Sequence, residues 1–240
     1  TLAFACLASF FLLTISAKFD KTQIIDFDTT VKIQDKMPLR LKPYMITFVQ
    51  LGSWQIMSVL VFVSMLIHRK YFWQIGLLYI FIAIVEVFGK HLLHHPPPPH
   101  FMTLRFQDLD LPKYYVRQEA SYPSGHAARS AFLVFIWVPY ITQSTYSYFK
   151  RNTTKIISDF TLNLPFGFKL TRPQSFSFKL LDFSIIAIYI STFFALTTFT
   201  FLIGIIKVYL GEHWISDVIG GWLLGTGLGL LIVSRPFFSD

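Results

Sequence analysis

The sequence has few charged residues and a single cysteine. Charged residues make up only 14% of the 240 residues, whereas hydrophobic residues make up 53% and aromatic residues 18%. Cys6, the one cysteine, lies within an apolar run, so the chain cannot form an intramolecular disulfide. No internal repeat is visible, and low complexity is limited to the four prolines at 96–99. These absences exclude a disulfide scaffold and a repeat array, and we expect one membrane-embedded domain over residues 1–240.

Apolar residues arrive in long blocks rather than in amphipathic stripes, which is typical of a multi-pass integral membrane protein. Residues 3–17 could instead be a signal peptide, because Ser16 and Ala17 are small, but we favour a retained helix. The sequence therefore predicts an all-α bundle of six transmembrane helices, with flanking polar residues extending the shorter ones. The predicted spans are roughly 3–17, 44–67, 72–88, 127–142, 181–206 and 218–234.

The formal net charge of +8 is spread over the predicted loops. In the loop 143–180 the only acidic residue is Asp159, so the positive-inside rule places this loop in the cytoplasm. A second lysine-rich loop, 18–43, also contains aspartates and apolar residues, which suggests an interfacial segment. Basic residues on both sides of the membrane make nucleic-acid binding a poor explanation of the charge. The basic residues of the larger loop are Lys150, Arg151, Lys155, Lys169, Arg172 and Lys179.

Six spans place the loops after the third and fifth spans on the same side of the membrane. These two loops carry the residues that could take part in catalysis or ligand binding. By the positive-inside rule, both loops are extracytoplasmic. Ionisable residues at membrane depth are costly unless they line a cavity, so their clustering at one end of a helical bundle indicates a functional site.

Two short motifs precede the fourth and sixth predicted spans. The segment Pro123-Ser124-Gly125-His126 opens a helix, so free backbone N–H groups and the positive helix end would face an anion such as phosphate. In the second motif, His213 and Asp217 are four residues apart and share one helix face. The carboxylate can then hold one imidazole nitrogen and leave the other nucleophilic. Glycines every four residues at 221, 225 and 229 predict close packing of the sixth span.

These segments resemble the type 2 phosphatidic acid phosphatase superfamily of membrane lipid phosphatases. Its signature has three blocks, Lys-x6-Arg-Pro, Pro-Ser-Gly-His and Ser-Arg-x5-His-x3-Asp. The middle block is complete here, and the third keeps His213 and Asp217 at the family spacing. The Ser-Arg position holds Ile206-Lys207, and the Arg-Pro position, counted from Lys90, holds Pro97-Pro98.

Both family arginines are therefore replaced. At Lys207 a point-charge ammonium stands where a guanidinium would contact two phosphate oxygens. The phosphate contacts of the missing arginines could be made instead by Arg105, Arg117 or Arg129. We favour Arg129, because it lies one turn after His126 on the same helix face.

The resemblance implies that His213 attacks phosphorus, that Asp217 orients its ring and that His126 protonates the leaving oxygen. It further implies hydrolysis of a phosphomonoester or pyrophosphate on a membrane lipid, such as an isoprenyl pyrophosphate, phosphatidate or phosphatidylglycerophosphate, without a cofactor. A lipid-linked phosphotransferase and a non-catalytic phosphate-lipid binding or transport protein are the alternatives. The implied phosphate-binding groups are Lys90, Ser124, Gly125, Lys207 and Arg129.

A histidine cluster offers a zinc hypothesis, since imidazole suits zinc and two of the histidines are helix-spaced. We disfavour it because the prolines that follow prevent one continuous helix, no cysteine is near, and Asp108 and Asp110 are the only close carboxylates. The cluster consists of His91, His94, His95 and His100.

Overall fold

The computed structural model describes residues 2–104, 120–152, 160–164, 168–172 and 178–233. Within these ranges the chain forms eight α-helices, so the predicted all-α class is confirmed, with one added β-hairpin. The hairpin lies in the predicted cytoplasmic loop and pairs Phe160 with Arg172 in antiparallel register. The elements are α1 (Leu2–Lys18), α2 (Gln23–Lys36), α3 (Lys42–Val49), α4 (Trp54–Ile67), α5 (Phe72–Leu92), α6 (Gly125–Asn152), β1 (Phe160–Leu164), β2 (Phe168–Arg172), α7 (Phe178–Tyr209) and α8 (Ile215–Val233).

Three helical segments in the described ranges are long and apolar enough to cross a membrane, namely Arg69–Leu92, Ile186–Tyr209 and Ile215–Val233. Two bent pairs meet the same criterion when each is taken as one span. One pair is α1 with α2, bent by 96°, and the other is the helical stretch 39–52 with α4, bent by 40°. The described residues therefore contain three to five candidate spans, where the sequence predicted six. The chain is a multi-pass integral membrane protein.

Helix α6 accounts for the difference. It covers the predicted span 127–142 but is too polar overall to count as a candidate span, because it begins with His126 and Arg129 and ends in polar residues. Helix α6 packs against both α7 and α8. A helix whose apolar side chains are covered by neighbouring helices does not need the continuous hydrophobicity that lipid contact demands.

Helices α6 and α8 approach each other along a glycine face of α8, as the four-residue spacing predicts. A Cβ atom on Gly221 would lie 2.4 Å from the backbone oxygen of Ser124, and one on Gly225 would lie 2.1 Å from that of Ala128. A Cβ on Gly227 would instead meet the Leu7 side chain of α1, at 2.7 Å. The start of α6 is thus held against α8 with no room for a methyl group.

We predict that Gly225→Ala destabilises the protein more than Gly227→Ala does. At Gly225 the added methyl meets backbone, so α6 must move, at a cost of about 1–3 kcal/mol. At Gly227 the Leu7 side chain can change its rotamer. The measurement is the apparent melting temperature of each variant in detergent, and equal melting temperatures would argue against the close approach.

Candidate active site

The turn between α7 and α8 sets the position of His213. Gly211 has a φ of +66°, a backbone conformation that favours glycine. A Cβ there would lie 2.2 Å from the backbone oxygen of Met102. The N–H of Leu104 donates to the carbonyl oxygen of Leu210 at 3.0 Å, which ties the turn to the end of the histidine-rich segment.

Asp217 lies directly beside His213, but the two do not share a helix face as the sequence had predicted, because His213 is in the turn before α8. The His213 Nδ1 atom is 3.3 Å from Asp217 Oδ2, and the backbone N–H of Trp214 donates to the same oxygen at 2.8 Å. Both side chains are buried, Asp217 completely. Because an ionised carboxylate only accepts hydrogen bonds, this contact favours the tautomer with the proton on Nδ1. The Nε2 atom of His213 then carries the lone pair.

The second motif lies against the first. The backbone N–H of Ser124 donates to the carbonyl oxygen of Asp217 at 3.0 Å, which joins the start of α6 to the start of α8. His126 is the second residue of α6, and its ring faces Gly52 at the bend between α3 and α4. Four of the predicted site residues lie close enough to interact with it electrostatically, namely Lys207, Arg129, His213 and Lys90.

A carboxylate missed in the sequence joins two of the predicted cations. Glu86 Oε2 accepts a hydrogen bond from Arg129 Nη1 at 2.5 Å, and Glu86 Oε1 accepts one from Lys90 Nζ at 2.9 Å. A Cβ atom on Gly125 would lie 2.2 Å from Glu86 Oε2, so the carboxylate packs against the first residue of α6. It therefore occupies an anion position formed by two cations and a helix N-terminus. A Glu–Lys pair four residues apart within an apolar span was the available signal.

The third predicted cation is also paired. Lys207 is 3% exposed and donates to a carboxylate oxygen of Glu212, five residues further along the chain. An ammonium buried to this extent needs a counter-charge or strong acceptors. The sequence analysis identified Lys207 but not Glu212, although both lie within residues 206–217, the third block of the family signature.

Two further residues, Asp26 and His95, lie close to the start of α8 and to Asp217. The carboxylate of Asp26, on α2, accepts hydrogen bonds from the backbone N–H and the hydroxyl of Ser216, each at 2.8 Å. His95 is 2% exposed, and its Nε2 atom lies 3.5 Å from Asp217 Oδ1. Asp26 was not predicted as part of the site, and His95 was named only as a member of the disfavoured zinc cluster. Asp26 lies 190 residues from Ser216, a contact without a local sequence signature.

The remaining histidines of the zinc hypothesis do not gather around His95. His91, His94 and His100 are exposed, whereas His95 is buried. The described residues contain no group of three or more histidine, cysteine or acidic side chains arranged to hold a metal ion. Arg105 and Arg117, the other candidate arginines, lie outside the described residues, as do Asp108 and Asp110.

A cavity of about 550 Å³ adjoins the site between α2 and the proline-rich segment. Its lining includes Trp214 and the buried His95, together with the exposed Ile24 and Phe27. The indole N–H of Trp214 donates to the carbonyl oxygen of Pro96 at 2.7 Å. The cavity therefore reaches the residue that follows His213.

The sequence profile of the PAP2 superfamily matches residues 70–239, a range that contains both motifs, and the chain belongs to this superfamily of membrane lipid phosphate phosphatases. The match confirms the resemblance drawn from the motifs. Among curated proteins, none matches the chain.

Two solved structures are similar to this chain. The PAP2-type phosphatidylglycerolphosphate phosphatase from Bacillus subtilis has a TM-score of 0.61 at 20% identity, over 96% of this chain and 93% of that chain. Aquifex aeolicus LpxE has a TM-score of 0.50 at 15% identity, over 86% of this chain and 93% of that chain. At these identities the similarity establishes a shared fold.

We predict that Glu86→Gln strengthens binding of inorganic phosphate. The change removes the negative charge that now neutralises Lys90 and Arg129, and the gain should be about fivefold in affinity, or about 1 kcal/mol. The measurement is the rise in melting temperature on adding phosphate, compared with wild type. Asp28→Asn, which removes one negative charge from an exposed ion pair with Lys32, is the matched control. An unchanged phosphate response in Glu86→Gln would show that this carboxylate does not compete with an anion.

Proposed function

We propose that this protein hydrolyses a phosphomonoester or pyrophosphate on a membrane lipid through a phosphohistidine intermediate. The observation that carries the proposal is the buried His213–Asp217 pair, joined through Ser124 to the helix start that bears His126. Membership of the PAP2 superfamily supports a lipid phosphate as substrate. The candidate lipids are an isoprenyl pyrophosphate, phosphatidate and phosphatidylglycerophosphate; a solved structure of similar fold is described as a phosphatase for a lipid of the last type.

The proposed reaction has two phosphoryl transfers. In the first, His213 Nε2 attacks phosphorus in line, the bond from phosphorus to the leaving oxygen breaks, and His126 gives that oxygen its proton. Asp217 stabilises the positive charge that develops on the His213 ring. In the second, His126 takes a proton from water, the water oxygen bonds to phosphorus and the phosphorus–nitrogen bond breaks. Inorganic phosphate leaves, and both histidines return to their starting states.

The phosphoryl oxygens would be held by the cations around His126 and by the first N–H groups of α6. Lys90, Arg129 and Lys207 supply the positive charge, and the backbone at Ser124 and Gly125 supplies N–H donors. Charge stabilisation at these oxygens contributes most to phosphoryl transfer. In this proposal the substrate takes over the hydrogen bonds that Glu86 and Glu212 now accept.

The proposal includes six spans, with α6 as the fourth, and an active site on the extracytoplasmic face. The Ser124–Asp217 hydrogen bond supports part of this topology, because it places the starts of α6 and α8 at the same end of the bundle. The basic loop that contains the hairpin then lies at the opposite end, on the cytoplasmic side.

Two alternative functions would use the same site. A phosphotransferase would pass the phosphoryl group from His213 to an acceptor other than water, and product analysis separates it from a hydrolase. A non-catalytic phosphate-lipid binding protein is motivated by the two replaced family arginines, at Pro97 and Lys207. It predicts lipid-phosphate binding without release of phosphate.

We predict that His213→Ala abolishes phosphate release, because the variant lacks the nucleophile, while the melting temperature changes little. Asp217→Asn should lose less activity, since it misplaces the ring rather than removing it. The measurement is steady-state phosphate release from a panel of lipid phosphates by the purified protein in detergent. His91→Ala, at an exposed histidine, is the control.

The same assay with chelator and with vanadate tests the chemistry. Activity should survive excess chelator and be inhibited by vanadate, which mimics a five-coordinate phosphoryl group on His213. Wild-type rates in His213→Ala would overturn the mechanism. Activity lost on chelation and restored by zinc would replace it with metal-assisted hydrolysis.

We further predict that Lys207→Arg is tolerated or faster, whereas Lys207→Ala is much slower. A guanidinium offers two parallel hydrogen bonds to phosphate oxygens where an ammonium offers a point contact, a gain of about 1 kcal/mol. If Arg129 replaces the missing family arginine, Arg129→Ala should raise KM as strongly as Lys207→Ala does. Both are measured on one substrate, and unchanged catalysis and affinity in both would refute the cation assignments.

A further inference from the structure

His95 and Asp217 each have a buried polar atom that faces the other. The Nε2 atom of His95 lies 3.5 Å from Asp217 Oδ1, and neither atom has a hydrogen-bond partner among the described residues. A buried polar group without a hydrogen-bond partner destabilises the folded protein. Closing the gap by about 0.5 Å would give an ordinary N–H···O hydrogen bond.

The surroundings of His95 fix its ring. Its backbone carbonyl oxygen accepts a hydrogen bond from the N–H of Ser121 at 2.9 Å, and its ring packs edge-on against Tyr122 with centroids 6.2 Å apart. Tyr122 is fully buried and shares a hydrogen bond with the hydroxyl of Thr14 at 3.0 Å. His95 is therefore held by the segment that leads directly into the Pro-Ser-Gly-His motif.

A second carboxylate faces the same nitrogen. Asp26 Oδ2 lies 3.9 Å from His95 Nε2, while both Asp26 oxygens already accept hydrogen bonds from Ser216. Asp217 Oδ2 is likewise occupied by Trp214 and His213. Asp217 Oδ1 is the oxygen left for His95, and an Nε2–H group between two buried carboxylates reduces their mutual repulsion.

We propose that His95 is a positioning residue for the nucleophile. Its Nε2–H donates to Asp217 Oδ1, so the carboxylate is held on both sides and keeps Oδ2 aimed at His213 Nδ1. His213 then stays in the tautomer whose Nε2 lone pair attacks phosphorus. This inference rests on the proposed function, and it assigns a role to His95, which occupies one of the six unspecified positions of the Lys-x6-Arg-Pro block.

Two substitutions separate this role from packing. Glutamine places its amide N–H₂ near the position of the histidine Nε2 atom, whereas asparagine places it near Nδ1 and cannot reach Asp217 Oδ1. We expect His95→Asn to lower kcat by about tenfold or more with little change in KM, and His95→Gln to stay within about threefold of wild type. His94→Asn is the matched control, because His94 is exposed and its φ of +51° suits asparagine.

A readout independent of turnover distinguishes failure of this inference from failure of the proposed function. Nitrogen-15 spectra of labelled histidines in detergent report which nitrogen of His213 carries the proton. We expect the Nδ1–H form to lose population in His95→Asn and to be retained in His95→Gln. If the wild-type protein releases no phosphate from any lipid, the proposed function fails, and these spectra alone decide the inference.

The adjoining cavity allows a test by chemical rescue. His95→Ala should regain activity with imidazole, which can enter through the cavity that His95 lines. Thiazole has a ring of similar size but no N–H, and its nitrogen is too weakly basic to be protonated near neutral pH, so it should not restore activity. Rescue by both compounds, or a His95→Asn variant with wild-type kcat and an unchanged His213 tautomer, would overturn the proposal.

Discussion

The contact between the starts of α6 and α8 is the constraint on which the site depends. The two helices carry the two motifs, and the backbone of Ser124 bonds directly to the backbone of Asp217. Such a short connection requires α8 to present hydrogen atoms instead of side chains, as Gly221 and Gly225 do. Because this hydrogen bond joins main-chain atoms, it fixes the backbone positions of His126 and His213 relative to each other and does not depend on side-chain rotamers. Asp26 adds a second tie from α2 through Ser216, so the start of α8 is held from two directions.

Most of the fold could be predicted from the sequence because long runs of apolar residues identify membrane helices. Five of the six predicted spans coincide with helices or bent helical pairs that meet the membrane criterion. The remaining span, 127–142, coincides with α6. The span count differed at α6 because polar residues near its start and at its end lower its overall hydropathy, although its central residues form an apolar run. The hairpin β1–β2 was missed because five-residue strands in a polar loop carry too little periodicity to distinguish.

In the site, the pairs of residues that were predicted are close in the sequence, whereas contacts between distant residues were missed. His126 and Arg129 lie three residues apart on α6, and His213 lies four residues before Asp217 in the turn that leads into α8, so each pair is close in the sequence. Glu86 was missed because it meets Arg129 across 43 residues, although its helical spacing to Lys90 was visible. His95 was visible only as one of four clustered histidines, and nothing in the sequence distinguished it from His91, His94 and His100. Burial singled it out, and burial at an irregular, proline-rich segment follows from tertiary packing rather than from pattern.

The cations of the candidate site are paired with carboxylates of the same chain. Lys90, Arg129 and Lys207 lie largely inside the protein, where unpaired cations would be costly, and Glu86 and Glu212 supply the compensating charge. An anion that enters therefore exchanges one set of charge-assisted hydrogen bonds for another and gains only the difference. Ground-state binding is weakened by this exchange, but the cations are already in place when charge develops on the phosphoryl oxygens. Catalysis benefits from interactions that strengthen in the transition state, so in the proposed reaction cations pre-positioned by internal carboxylates would favour rate over tight binding of the lipid.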